Sequence, residues 1–222
     1  MLGRLRPSRL TEPHPGSRHP HRRTRAFSRA RRPASRDSRR VTLLSATASS
    51  PAFAAFARYA DARVDEPHAI ATRLQDLLAE DDWLAPADRA PGTDTYRQHL
   101  LHVSPCRKLS VVALVWLPGQ RTAIHDHVSW CIVGVYRGVE REERYDLVET
   151  GGRRFLRPAG AVLAPRGHVE TLIPPDGDIH AVTAAGRETA ISIHVYGADI
   201  ERLGSSIHRR YDDLEIERAV AA

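Results

Sequence analysis

The sequence is poor in cysteine, lysine and methionine, and it contains no long apolar run. Its 222 residues include two cysteines, Cys106 and Cys131, one methionine and a single lysine, Lys108. Two cysteines do not provide the disulfide framework of a small secreted fold, so we expect the reducing cytoplasm as its location. No stretch approaches the roughly 18 consecutive apolar residues of a membrane helix, and we expect no membrane association.

The formal net charge of +6 originates at one end of the chain. Residues 1–40 contain 13 of the 33 basic residues, all arginine, and two of the 27 acidic ones, which leaves 20 basic and 25 acidic residues in 41–222. The first 40 residues are rich in Arg, Pro, Ser and His without apolar periodicity, so we expect disorder. They are interpreted either as an inert tail, including one added by a wrongly assigned start, or as a basic arm for nucleic acid. The inert tail is preferred, and nucleic acid is not expected as a partner.

Residues 38–57 contain an incomplete export pattern. Arg39 and Arg40 precede a short apolar stretch, as they do in a twin-arginine signal. The apolar part, VTLL, is shorter than the h-region of a signal peptide, and a Ser/Thr run follows it. We therefore expect the protein to stay in the cytoplasm.

The remainder of the chain divides into three parts. Residues 41–94 form a helical lead-in, because two segments within roughly 50–84 carry apolar residues at helical spacing. Residues 95–200 contain short β-branched and apolar runs, broken by Gly, Pro and Asp and without intervening helices, which predicts an antiparallel sandwich or closed barrel. Residues 201–222 are expected to form a connector and a short helix. In the second helical segment, one apolar stripe is formed by Ile70, Leu74, Leu77 and Leu78.

The segment TAIHDHVSW at 122–130 places two histidines one residue apart in a strand-like stretch. On a strand, His125 and His127 point to one face and Asp126 to the other. Two imidazoles on an inward face are costly to bury unless their lone pairs are used, and a metal ion uses them directly. A bare HxH pair is weak evidence for a metal, so the surrounding spacing has to be considered.

That spacing resembles the first cupin motif, G-x5-H-x-H-x3-E-x6-G. The matching positions are Gly119, His125, His127, Cys131 and Gly138. Cys131 stands where the motif has its glutamate ligand. The resemblance covers most of 95–200 and implies an all-β core, a cupin jelly-roll β-barrel with a short N-terminal helical segment and a metal inside. Because the glutamate is missing, a third ligand has to come from elsewhere, and His168 and His180 are the candidates.

The stretch AISIHVYG places Ser192, His194 and Tyr196 on one face of one strand. Such a row is otherwise interpreted as a buried polar ladder or a hydrolase Ser/His pair, but neighbours two apart on a strand lack the usual nucleophile–base geometry. A Ser–His–Tyr row beside a three-histidine cupin site closely resembles the thiol dioxygenases, the cysteine dioxygenase family.

The resemblance implies iron(II) as the cofactor and assigns a role to each residue. It makes His125, His127 and His180 the ligands, and it prefers His180 to His168 because of its spacing to the row. Ser192, His194 and Tyr196 are expected to hydrogen-bond in series, with the tyrosine hydroxyl directed at the substrate and dioxygen. Three neutral ligands leave the double positive charge of iron(II) unneutralised. An anionic substrate thiolate can then bind and neutralise part of that charge, which a carboxylate ligand would otherwise do.

Cys131 has two interpretations. Most free cysteines are small buried hydrophobic residues. Alternatively, Cys131 points toward Tyr196, and some cysteine dioxygenases carry a Cys–Tyr thioether at the corresponding position. The direction in which Cys131 points from its strand favours a crosslink with Tyr196. The spacing argues against it, because in the family pattern that cysteine lies one residue further from the histidines.

Two places in the sequence indicate which thiol is the substrate: the first strand, and the residues that follow Tyr196 of the Ser–His–Tyr row. The cysteine-specific branch holds the substrate carboxylate with an arginine two residues after a tyrosine; here Gln98 stands two residues after Tyr96, and Arg97 points to the opposite face. That branch also has Ser-Pro after the tyrosine of the row, where this chain has Gly197-Ala198. Both departures resemble the 3-mercaptopropionate branch, in which an arginine from beyond the row binds the carboxylate. The candidates are Arg202, Arg209 and Arg210.

We therefore predict a thiol dioxygenase of sulfur amino-acid metabolism, with a small thiol and dioxygen as partners and 3-mercaptopropionate favoured over L-cysteine. Two other functions are considered, one based on the same histidines and one based on the basic tail. One is a non-redox metal-binding cupin, such as an isomerase or a small-molecule-binding or regulatory module. The other is a cupin-type regulator whose basic tail contacts nucleic acid. The Ser–His–Tyr row and the missing glutamate favour the dioxygenase.

Overall fold

The computed structural model describes residues 50–218 of the chain. The tail predicted over residues 1–40 and the export pattern at Arg39 and Arg40 lie outside the described residues. Within residues 50–218, no helix is both long and apolar enough to cross a membrane.

The lead-in contains two amphipathic helices, α1 (Pro51–Asp61) and α2 (Pro67–Ala79), each with proline in its first turn. The hydroxyl of Ser50 caps α1 by accepting a hydrogen bond from the backbone N–H of Phe53 at 3.1 Å. A single 3₁₀ turn, Pro86–Arg89, follows them. The stripe predicted for α2 is its buried face: Ile70, Leu74, Leu77 and Leu78. Helical spacing alone was sufficient to identify that face.

Two five-stranded antiparallel sheets form the core. In spatial order, the first contains β1 (Arg97–Val103), β2 (Ser110–Trp116), β9 (Ala190–Tyr196), β4 (Cys131–Arg137) and β7 (Val169–Leu172). The second contains β10 (Ile207–Arg210), β3 (His125–His127), β8 (His180–Ala184), β5 (Val139–Thr150) and β6 (Arg153–Pro165). Apart from the hairpins β1–β2 and β5–β6, consecutive strands alternate between the sheets, so the chain wraps as a jelly roll. The predicted all-β cupin fold with a short N-terminal helical segment is confirmed.

The first sheet is buried on both faces. Its outer face packs under α1 and α2, where Ile191, Ile193 and Val195 of β9 join Phe56 and Leu74 in one apolar cluster. Its inner face packs toward the second sheet. The alternation along β9 therefore sends its apolar residues to the helices and its polar residues into the barrel.

Two details differ from the sequence prediction. The strand-like segment at 122–130 is only partly strand, since β3 spans three residues and β4, which begins at Cys131, belongs to the other sheet. Within the described part of the predicted connector and helix, residues 201–218, one helical turn, α3 (Ile200–Leu203), is followed by β10. β10 pairs with β3, which is only three residues long and would otherwise be a sheet edge.

Candidate metal centre

Three histidines converge inside the barrel. His125 and His127 lie on β3, and His180, the first residue of β8, is the direct antiparallel partner of His125. All three are buried, and their candidate ligand atoms lie within 4.8 Å of one another. The ring centroids are 4.8–5.0 Å apart. The structure therefore brings together the two strand neighbours and His180, and it leaves His168 outside the cluster.

The Nδ1 atom of each histidine faces a hydrogen-bond acceptor. The partner is the backbone carbonyl of Ala123 for His125 at 2.9 Å, Asp178 for His127 at 2.6 Å, and Glu142 for His180 at 2.7 Å. These acceptors place the ring proton on Nδ1 and the lone pair on Nε2. Metal-binding histidines in proteins almost always donate their other N–H in this way. The donor set therefore fits a metal ion held by three Nε2 atoms.

Burial keeps His180 neutral. Desolvation, reinforced by the neighbouring His127, lowers the pKa of His180 to about 3. An imidazole with such a pKa is unprotonated at any physiological pH, as a metal ligand has to be. His180 therefore does not have to lose a proton before binding a metal.

Sequence reasoning missed Asp178 and Glu142. Asp178 also accepts a hydrogen bond from the backbone N–H of His127 at 2.8 Å, so it orients both the strand and the ring. Glu142 bonds His180 through one oxygen and Arg144 through the other, at 3.1 Å. No motif marks these carboxylates; an acidic residue at an inward position of β5 was the only signal for Glu142.

The row predicted on β9 is hydrogen-bonded in series. Ser192 Oγ lies 3.0 Å from His194 Nε2, and His194 Nδ1 lies 3.2 Å from the Tyr196 hydroxyl. Trp116 adds to this row by donating its indole N–H to Ser192 Oγ at 3.2 Å. Burial, together with His127 and His180 nearby, lowers the pKa of His194 to about 3. The imidazole in the middle of the row is therefore neutral, so one of its ring nitrogens donates a hydrogen bond and the other accepts one.

Tyr196 connects the row to the histidine cluster. Its ring centroid is 6.2 Å from that of His127. Cys131 is its direct partner across the β4–β9 ladder, and the thiol lies 3.9 Å from His194 Nδ1. Burial, with Asp178 and Glu142 adding to it, raises the pKa of Cys131 well above the ordinary thiol value. Cys131 is a buried thiol beside Tyr196, and it is not part of the three-histidine group of candidate ligands.

The first strand is arranged as the sequence predicts. The register pairs Gln98 with Leu114 and Leu114 with Ser192, which puts Gln98 on the face that carries the row. Tyr96 is buried on the same face, with its ring 4.1 Å from that of Trp116. Arg97 points to the opposite face and is exposed.

The three candidate arginines are not equivalent. Arg209 binds Asp126 through its backbone N–H at 2.6 Å and its side chain at 2.8 and 2.6 Å. Asp126 points away from the histidine face of β3, so Arg209 lies outside the barrel and not at the cluster. Arg202 is exposed on α3. Arg210 is also exposed, but it is the cross-strand partner of His125 on β3.

Fold and cluster together define an all-β jelly roll with a buried group of three histidines. No protein-family model matches the chain. Similar solved structures include a Klebsiella pneumoniae uncharacterized conserved protein with a double-stranded β-helix domain, 18% identical over 53% of this chain and 84% of that one, with a TM-score of 0.38. A Desulfovibrio desulfuricans RmlC-like cupin is 20% identical over 53% and 96%, with a TM-score of 0.34. A recombinant oxalate oxidase solved with glycolate is 16% identical over 55% of this chain and 62% of that one, with a TM-score of 0.39. At this identity the likeness concerns the fold alone.

Proposed function

We propose that the protein is an iron(II)-dependent thiol dioxygenase, which adds both atoms of dioxygen to the sulfur of a small thiol to give the sulfinate. The observation that carries the proposal is the adjacency of two arrangements. A cluster of three buried histidines lies next to a buried, hydrogen-bonded Ser–His–Tyr row on the neighbouring sheet. A structural polar ladder does not require three histidine Nε2 atoms to converge beside it.

The proposed metal is held by His125, His127 and His180. When bound, iron(II) would supply open coordination positions for a thiolate and dioxygen. Because the histidines are neutral, they leave the charge of the ion for the substrate sulfur to neutralise. Asp178 and Glu142 keep two of the rings in the required tautomer.

The proposed role of Tyr196 is to present a hydroxyl donor beside the histidine cluster. In this role His194 Nδ1 donates to the tyrosine oxygen and Ser192 donates to His194 Nε2, so the single phenolic hydrogen is directed at the substrate and the tyrosine does not have to be oriented during the reaction. A donor positioned in advance, in a site shielded from water, stabilises developing negative charge on oxygen more than water does.

We propose 3-mercaptopropionate as the preferred substrate and Arg210 as the residue that binds its carboxylate. Gln98 is neutral and lies on the face of the row, so it can hydrogen-bond a substrate without forming the ion pair of a guanidinium. Among the three arginines, Arg210 is the one whose strand partner is a histidine of the cluster. L-Cysteine remains a poorer substrate in this proposal, because a site built around the neutral Gln98 should gain little from the added ammonium group.

We also propose that Cys131 and Tyr196 become joined by a thioether during turnover. They are direct cross-strand partners, and the buried thiol has no disulfide partner. Forming the bond removes one hydrogen from sulfur and one from the phenol ring, with dioxygen as the oxidant. Intact-protein mass spectrometry before and after turnover should show the loss of these two hydrogen atoms, and Cys131→Ala should show no loss.

The test of the proposed activity is anaerobic reconstitution with iron(II), followed by oxygen uptake against a panel of small thiols. The proposal predicts uptake that depends on both iron and thiol, fastest with 3-mercaptopropionate. A non-redox cupin would bind the metal and consume no oxygen. The proposed location is the cytoplasm, where an exposed free thiol such as Cys106 stays reduced.

A further inference from the structure

β6 is the outermost strand of the second sheet among the described residues, and its outer edge is covered along only part of its length. Leu156 donates its backbone N–H to the carbonyl of Glu215 at 2.9 Å and accepts the N–H of Glu217 at 2.7 Å. Residues 215–217 therefore run parallel to β6 and cover its edge at Leu156. Within residues 50–218, no backbone segment covers the same edge at residues 159–163.

The uncovered part of β6 differs in composition from the covered part. Residues 153–157 contain three arginines, whereas residues 158–165, PAGAVLAP, contain no charge and have proline only at their two ends. Residues 158–163 are all exposed, and Leu163 is 63% exposed. Native proteins usually protect a sheet edge with charges, prolines or a covering segment, because unpaired backbone groups recruit another strand. The six residues between the prolines have none of these protections.

The strand register shows which backbone groups face this edge. On β5, Tyr145 donates its N–H at 2.9 Å to the carbonyl of the residue before β8, so odd-numbered residues of β5 bond on that side and even-numbered ones bond toward β6. Glu142 is therefore bonded to its partner on β6, Val162. Because backbone groups alternate along a strand, Ala161 and Leu163 direct their N–H and C=O groups away from β5 and out of the sheet.

We propose that two copies of this chain associate by antiparallel pairing of this edge, with the two-fold axis at Val162. In that register Ala161 of each protomer lies opposite Leu163 of the other, and both pairs exchange two hydrogen bonds. Every outward N–H and C=O of these two residues is then used. Pro158 and Pro165 end the pairing, because proline has no N–H to donate. The contact is two-fold and closed, so it gives a dimer and not a filament.

Side-chain size along the edge is self-complementary. With the axis at Val162, the small Ala161 lies beside the large Leu163 of the other protomer, and Gly160 lies beside Ala164. Small residues therefore meet larger ones on both sides of the axis, which lets the two backbones approach to the spacing of a sheet.

The charges around the edge also fit a second copy of the same chain. The pairing residues carry no charge, so no like charges lie directly opposite one another. At one end of the stretch Arg157 pairs with Glu217, and at the other end Arg166 pairs with Asp81. Antiparallel pairing brings the Arg157 end of one protomer to the Arg166 end of the other. Each end carries one cation and one anion, so the two ends can exchange ion-pair partners without an excess of either sign.

The first test measures the mass of the full-length chain in solution by sedimentation velocity. The paired stretch is short, so the dimer should be weak, and the range from about 1 μM to about 1 mM covers weak dissociation constants. Wild type should shift with concentration toward about twice the mass of one chain. Leu163→Lys should stay monomeric throughout, because a lysine on a strand edge opposes pairing. The matched control is Leu203→Lys on α3, where the leucine is 56% exposed; it should dimerise as wild type does.

The second test checks the register with single cysteines, in a Cys106→Ser background that removes the exposed native thiol. With the axis at Val162, the two copies of residue 162 form a pair without hydrogen bonds, with Cα atoms about 4.5 Å apart, which a disulfide can span. Val162→Cys should therefore give a covalent dimer under mild oxidation. Leu163→Cys is the control, since its two copies would lie about 8–9 Å apart, beyond the limit of about 7 Å for a disulfide.

This inference does not depend on the proposed function. A wild-type chain that stays monomeric over the whole concentration range would overturn it. So would a dimer that Leu163→Lys leaves unchanged, or a disulfide that forms with Leu163→Cys and not with Val162→Cys. None of these results bears on iron binding or thiol oxidation, which the oxygen-uptake assay tests separately.

Discussion

His180 of β8 lies directly opposite His125 of β3 in the antiparallel pairing of these strands, and the centroids of their rings are 4.8 Å apart. This single pair places the third histidine of the cluster. Because β3 has only three residues, small changes in its pairing would move both of its histidines. The arrangement leads to four predictions on metal binding, ring orientation, the row and the substrate.

His180→Ala should remove most of the bound iron, whereas His168→Ala should leave it in place. The reason is that His180 completes the three-nitrogen set and His168 lies outside it. Iron content per chain after reconstitution and desalting checks the prediction. Full iron in His180→Ala together with loss in His168→Ala would mean that the third ligand is His168.

Glu142→Gln should weaken iron binding by about 10–100-fold without removing a ligand, because the carboxylate that holds the His180 ring becomes a neutral amide. A competition titration with a chelator measures the change in affinity. Glu143→Gln, on the outward side of the same strand, serves as the control and should bind iron as wild type does. Equal affinities in the two variants would rule out an orienting role for Glu142.

Tyr196→Phe should keep iron and slow turnover by about 10²–10³-fold, since it removes one positioned donor and almost no volume. Parallel measurements of oxygen consumed and sulfinate formed should also show that the two become uncoupled. An unchanged, fully coupled rate would show that Tyr196 contributes only packing.

Arg210→Ala should raise KM for 3-mercaptopropionate far more than it changes kcat, because a substrate carboxylate would lose its cation. Arg97→Ala, on the exposed face of β1, should have little effect on KM. Arg209→Ala should instead lower the melting temperature, because buried Asp126 would lose its guanidinium partner. If Arg97→Ala abolished binding and L-cysteine were the better substrate, the proposed choice of thiol would be contradicted.

Periodicity was enough to predict much of the site. A two-residue repeat placed His125 with His127, and Ser192 with His194 and Tyr196, on common faces, because side chains alternate along any strand. The helical stripe of α2 was predictable for the same kind of reason. These features depend on local geometry, which a strand or helix has wherever it lies in the fold.

Features that depend on strand neighbours were not predictable in this way. The choice between His168 and His180 required knowing that β8 pairs with β3. The contacts of Asp178 and Glu142 with the histidine rings depend on which strands lie side by side, and no spacing in the sequence encodes that. The strand β10 was not predicted because its pairing with β3 is non-local, and the same pairing distinguishes Arg209 from Arg210.

The central claim is that this chain transfers both atoms of dioxygen to the sulfur of one small thiol. The most direct measurement is a single-vial reaction of iron(II)-loaded protein with 3-mercaptopropionate under isotopically labelled dioxygen, with the product analysed by mass spectrometry. The account predicts a sulfinate in which both oxygens on sulfur carry the label, and no such product with His180→Ala. Disulfide as the only product, or a sulfinate whose oxygens come from water, would contradict it.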